Sequence, residues 1–165
     1  MTAATLRRKY ALLDANLLVF LCVGRISPTL IGQHKRLQSF DASDIGLLED
    51  VLNQARGIAS IPNVVTETSN LARQIGSAFY LPLANSLHTL VNHAIELFVE
   101  SPAAARHPLH ERLGITDAAI LLALQQRNDF VLVTVDHNLH VAALEQNSRA
   151  VNFNHIRNQR KDFQT

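Results

Sequence analysis

The run Phe130-Val131-Leu132-Val133-Thr134-Val135 is apolar at all positions but one, rich in β-branched residues, and closed by Asp136. A strand without polar alternation has to be covered on both faces, which is the situation of a strand inside a parallel sheet between helix layers. Its neighbours fit that setting. A very apolar helix is predicted over 117–127 with Thr116 as its cap, another helix over 138–146, and a last short strand over 150–153.

The first half repeats the alternation. Tyr10-Ala11-Leu12-Leu13 reads as a short strand ending at Asp14, and Leu17 to Val23 as a buried helix stopped by Gly24. Residues 25–43 lose their period and carry Pro28, Gly32 and the basic group His34-Lys35-Arg36, so they read as a long loop insertion. Ser43 caps a predicted helix over 44–55, ended by Gly57. Pro62-Asn63-Val64-Val65 reads as a strand, followed by a helix from Glu67 to about Gly76 with Thr66 as its cap. Residues 85–100 form an amphipathic helix, with a short strand around Phe98-Val99, and a polar tail occupies about 155–165. Together these elements predict one domain over 1–165 of α/β class, a three-layer α/β/α sandwich with a central parallel sheet.

Charge and cysteine content narrow the function classes. With 15 Lys and Arg against 14 Asp and Glu, the chain lacks the global basic excess of a DNA-coating protein, so any nucleic-acid contact is local. The single Cys22 lies in an apolar run, reads as a small core hydrophobe and suits a reducing cytoplasm. Arg7-Arg8-Lys9 before an apolar stretch superficially resembles a secretory signal. Asp14 and Asn16 interrupt that stretch, no small-x-small site follows, and it is short of the ~20 apolar residues of a membrane span. A cytoplasmic protein without a membrane segment is expected. The eight histidines do not form a paired zinc-ligand spacing with Cys.

The acids carry the chemistry. Asp14 and Asp136 each follow a predicted strand, and Glu67 and Asp117 each fall in the first turn of a predicted helix starting at the same side of the sheet. Taken singly, Glu67 and Asp117 are also what a helix N-terminus favours, and Asp136 is what a turn favours. Asp14 is different, because a carboxylate between Leu13 and Leu17 is part-buried and no Lys or Arg is placed in sequence to pair with it locally. Four converging carboxylates repel one another unless a proton or a cation compensates them, and an all-oxygen set of this kind suits Mg²⁺ or Mn²⁺.

Four successive segments carry a family resemblance: Leu12-Leu13-Asp14-Ala15-Asn16, Val64-Val65-Thr66-Glu67-Thr68-Ser69-Asn70, Gly114-Ile115-Thr116-Asp117-Ala118-Ala119-Ile120, and Val133-Thr134-Val135-Asp136. In order and spacing they resemble the motifs of PIN-domain nucleases. The resemblance implies metal-site and catalytic roles for Asp14, Glu67, Asp117 and Asp136, with Asn16 and Thr134 supporting the pocket by hydrogen bonds. Asn138 is taken as a third supporting residue, standing where many members carry a further acid. The implied activity is Mg²⁺- or Mn²⁺-dependent endoribonuclease chemistry, of which toxin-type enzymes of toxin–antitoxin pairs are one form. An antitoxin-like inhibitory partner and a homodimer are implied as partners beside RNA. The 25–43 insertion and the 85–100 helix make the chain longer than the compact toxin subunits.

Lys35, Arg36 and Arg73 are the first candidates for RNA backbone contact, with Arg106, Arg157, Arg160 and Lys161 behind them and His137 as an outside candidate beside Asp136. Two rivals bear weighing. A phosphatase or receiver domain using Asp14 as nucleophile calls for a second acid where Asn16 stands and for a pocket Lys, and no Lys occurs between Arg36 and Arg160. A catalytically inactive interaction module on the same fold is the alternative, with the long loop or the apolar helix as its binding face.

Overall fold

Tyr10 to Leu13 and Phe130 to Thr134 pair in parallel, Tyr10 opposite Phe130 and Leu13 opposite Val133, and every residue of the second strand is buried. This pair is the centre of the computed structural model, which describes residues 3–162. In chain order the elements are α1 (Ala3–Leu6), β1 (Tyr10–Leu13), α2 (Ala15–Ile26), α3 (Asp44–Leu52), β2 (Gly57–Ser60), α4 (Pro62–Ala72), α5 (Ser77–His93) and β3 (Ile95–Glu96). They continue with α6 (Ser101–Ala105), α7 (His110–Leu113), α8 (Ile115–Gln126), β4 (Phe130–Thr134), α9 (His137–Glu145), β5 (Ala150–Asn152) and α10 (Phe153–Asp162).

The five strands form one all-parallel sheet in the order β3-β2-β1-β4-β5. One helix group, α2 with α3, α4 and α5, and another, α8 with α6, α7 and α9, complete a three-layer α/β/α sandwich. The chain runs outward from β1 to β3, then crosses back to β4 on the other side of β1. That reversal lies between β1 and β4, and in open parallel sheets the crevice beyond the carboxyl ends of two such strands is where ligands bind.

Several expected elements shift. Gly24 does not end α2, which runs on to Ile26, because the absent Cβ leaves room for the Ile45 side chain of α3 to lie against it. Residues 25–43 are not a free loop. They contain two 3-10 segments, Pro28–Gln33 and Lys35–Leu37, and bury Leu30, Ile31, Leu37 and Phe40. The buried His34 ring bridges this segment to α4, with Nε2 at 3.0 Å from the Leu71 carbonyl and Nδ1 accepting from the Arg36 amide at 3.2 Å.

Pro62-Asn63-Val64-Val65 is not a strand. Pro62 opens α4, where its fixed φ and missing N–H suit a first helical turn, and the second strand is the less apolar Gly57–Ser60 just before it. The amphipathic segment is a longer and earlier helix, α5, and the strand after it is Ile95–Glu96 rather than Phe98-Val99.

The expected polar tail is α10 as far as Asp162; residues 163–165 lie outside the described residues, as does the Lys161 side chain. Arg157 of this helix is buried. It bonds Asp44 at 2.8 Å and lies over the Phe40 ring, which stacks on Phe20, while Arg160 bonds the same carboxylate at 2.6 Å. Arg157 and Arg160 thus fasten α10 to α3 and are not held out for a ligand.

Leu18, Phe20 and Leu48 are core residues, as is Cys22, whose thiol burial pushes up to about 11. Among the described residues, no helix is long and apolar enough to cross a membrane.

Candidate active site

Asp14 follows the last residue of β1, and the register that sets Leu13 opposite Val133 sets Asp14 beside Thr134. Its backbone N–H extends the ladder to the Val133 carbonyl at 3.3 Å. The buried carboxylate caps α2, Oδ1 accepting from the Leu17 amide at 2.7 Å. Oδ2 accepts from the Thr134 hydroxyl and from the Val135 amide, the latter at 3.2 Å. Burial raises the Asp14 carboxyl above its ordinary range, the three donors pull it back, and the charge of Asp136 adds to the rise.

Thr134 connects two acids. Its Oγ1 donates to Asp14 and accepts from the Asp136 amide at 2.9 Å. Asp136 is exposed and caps α9, accepting from the Leu139 amide at 3.0 Å. These two acids stand at the carboxyl ends of β1 and β4, where the strand order reverses.

Glu67 and Asp117 come from α4 and α8, which touch one another. Because α4 begins at Pro62, Glu67 lies in its second turn and not its first, and Thr66 is no cap. Thr116 is no cap either. Gly114 precedes α8 with φ +93°, a conformation that glycine takes without strain, and this turn aims the first turn of α8, with Asp117, toward the sheet edge.

Asp14, Asn16, Glu67, Asp117 and Asp136 line one cavity of about 160 Å³, together with Ala15, Thr116 and Leu139. Among the described residues, no Lys or Arg lines it. The electrostatics register the convergence: Asp117 is pushed up to about 7, first by burial and then by the charges of Asp136, Asp14 and Glu67. All four predicted acids, with Asn16 and Thr134, therefore belong to one constellation.

Other candidates stand apart. Asn138 is exposed on α9 and does not line the cavity, and His137 beside it is also exposed. Lys35, Arg36 and Arg106 are exposed elsewhere, and Arg73 lies over the Tyr80 ring at 5.0 Å. Sequence reasoning missed Thr116 and Leu139 as wall residues. It also missed the face of α4 formed by Asn63, Thr66, Glu67 and Asn70, whose helical spacing is plain once Pro62 is read as a helix start.

Among the described residues, no three His, Cys, Asp or Glu side chains form a group ready to hold a metal ion. The walls nevertheless fit a hard divalent cation: the donors are oxygens, no fixed cation competes, and uncompensated carboxylates hold one another apart. Mg²⁺ keeps several waters, so it does not need three carboxylates in direct contact. Asp14 spends three acceptor positions within the fold, which leaves it one free lone pair for a ligand.

No protein-family model, curated protein or solved structure matches this chain.

Proposed function

We propose that the chain is a metal-dependent ribonuclease that hydrolyses phosphodiester bonds at the pocket of Asp14, Glu67, Asp117 and Asp136. The observation that carries this reading is the meeting of four carboxylates from four elements around one small cavity without a cationic side chain. A structural role does not call for such a set, since uncompensated like charges cost stability.

These acids would hold Mg²⁺ or Mn²⁺, which would supply a Lewis acid and a water of lowered pKa. The chain's own residues do the rest. Asp14 is fixed by its three donors and sets the floor of the pocket, and Thr134 keeps Asp136 in step with it. Glu67 or Asp117, both of which line the same pocket, accepts the proton of the attacking water. Water oxygen forms the new bond to phosphorus, the bond from phosphorus to the 3′ oxygen breaks, that oxygen takes up a proton from solvent, and the products are a 5′-phosphate and a 3′-hydroxyl.

The test incubates purified protein with mixed single-stranded RNAs in Mg²⁺, Mn²⁺ or EDTA, beside Asp136→Asn, which keeps a residue that caps helices well. Metal-dependent cutting that yields 5′-phosphates and falls at least about 100-fold in the variant is expected. Folded protein that cuts no RNA in either metal would overturn the reading and favour the interaction module.

A further inference from the structure

A second cavity, about 390 Å³, opens beside the acidic pocket, and Glu67 and Thr116 line both. Asn63, Thr66 and Asn70, on the same face of α4 as Glu67, form one wall. Phe98, from the segment after β3, and Ile115, at the start of α8, supply apolar surface. Phe98 is 72% exposed and Ile115 40%, so two of the four large exposed hydrophobic side chains among the described residues border this one cavity. Among the described residues, no Lys or Arg lines it.

These features select a ligand. An aromatic face and an aliphatic neighbour offer stacking, and two side-chain amides and a hydroxyl offer donors and acceptors to a polar edge. Without a cation, and with Glu67 at the junction, the cavity repels phosphate and favours a flat, neutral, aromatic group with hydrogen-bonding edges. The shared wall means that such a group sits next to whatever occupies the acidic pocket. We propose that this cavity is a nucleobase subsite, in which Phe98 stacks on a base of single-stranded RNA whose adjoining phosphodiester lies in the acidic pocket. The proposal rests on the ribonuclease reading.

The experiment uses the Asp136→Asn protein in Mg²⁺, with short single-stranded oligoribonucleotides carrying the fluorescent base 2-aminopurine at successive positions. Binding is followed by anisotropy and stacking by fluorescence quenching. Adding Phe98→Ala is expected to weaken binding about 5- to 150-fold, the range of one lost base–aromatic stack, and to abolish quenching at one position. Phe98→Trp should restore both, and an abasic site at the quenched position should bind the Phe98 protein as weakly as the base-containing RNA binds Phe98→Ala.

Because Phe98 is exposed, circular dichroism should be unchanged. If the wild-type protein cuts RNA in a metal-dependent way but Phe98→Ala leaves affinity and quenching unaltered, the subsite is wrong and the nuclease reading survives. If the wild-type protein neither cuts nor binds RNA, both fall.

Discussion

Replacing Asp117 by Asn should stabilise the metal-free protein at alkaline pH and leave it nearly unchanged in acid. Burial, and then the charges of Asp136, Asp14 and Glu67, push the Asp117 carboxyl from 3.8 up to about 7. At about 1.36 kcal/mol per unit, ionising it in place costs up to about 4 kcal/mol. The sign follows from proton occupancy. Below pH 3.8 the carboxyl is protonated in both folded and unfolded chains, and no penalty exists. Between there and about 7 the folded chain retains a proton that the unfolded chain has lost, so stability falls as pH rises; above that range the loss is complete. Asparagine is a neutral isostere and escapes the loss.

The assay is urea or thermal denaturation in chelator at pH 4 and pH 8. For 165 residues, each kcal/mol moves Tm by about 3 °C, so Asp117→Asn should raise Tm by up to about 12 °C at pH 8 and by no more than about 2 °C at pH 4. Millimolar Mg²⁺ or Mn²⁺ should stabilise the wild type at pH 8 and do much less for the variant, because the cation supplies the compensation that the substitution makes unnecessary. A gain of the same size at both pH values would refute the electrostatic argument, since a packing effect does not titrate.

Three further outcomes follow from the contacts. Thr134→Val removes one donor to the buried Asp14 carboxylate and the acceptor of the Asp136 amide, and should cost about 1–3 kcal/mol in urea denaturation. Arg157→Ala leaves Asp44 buried with Arg160 as its remaining ion partner, and should cost about 3 kcal/mol, whereas exposed Lys35→Ala should stay within about 0.5 kcal/mol. Gly114→Ala, at φ +93°, should cost about 1–3 kcal/mol by the same measurement, because alanine is strained in the turn that sets the entry of α8, and on the proposed function should also lower RNA cleavage.

The strand at Phe130 and the acid at Asp14 were legible because their signals are local. An unbroken apolar run needs cover on both faces wherever it lies, and a carboxylate set between leucines needs donors whatever supplies them. Asp14 and Asp136 could be picked out because each follows an apolar strand, whereas Glu67 was singled out from a misread strand end and from the resemblance of its segment, and it lies in the second turn of α4. The second strand was hidden by its composition: Gly57-Ile58-Ala59-Ser60 carries little β signal of its own, and it is a strand because β1 and β3 hydrogen-bond to it on either side. Misplacing it turned the start of α4 into a strand and concealed the face carrying Asn63, Thr66 and Asn70.

The sequence by itself determined the class of the fold, the places of β1 and β4 and the acids that follow them, Asp14 and Asp136, since these depend on periodicity and on residues within a few positions of one another. Tertiary structure alone decided that Asp44 receives Arg157 across 113 residues and that Thr134 reaches Asp14 across 120. It also decided that Phe98 stays exposed beside the acidic pocket. Pairings across such separations depend on strand order and helix packing, which no local pattern encodes.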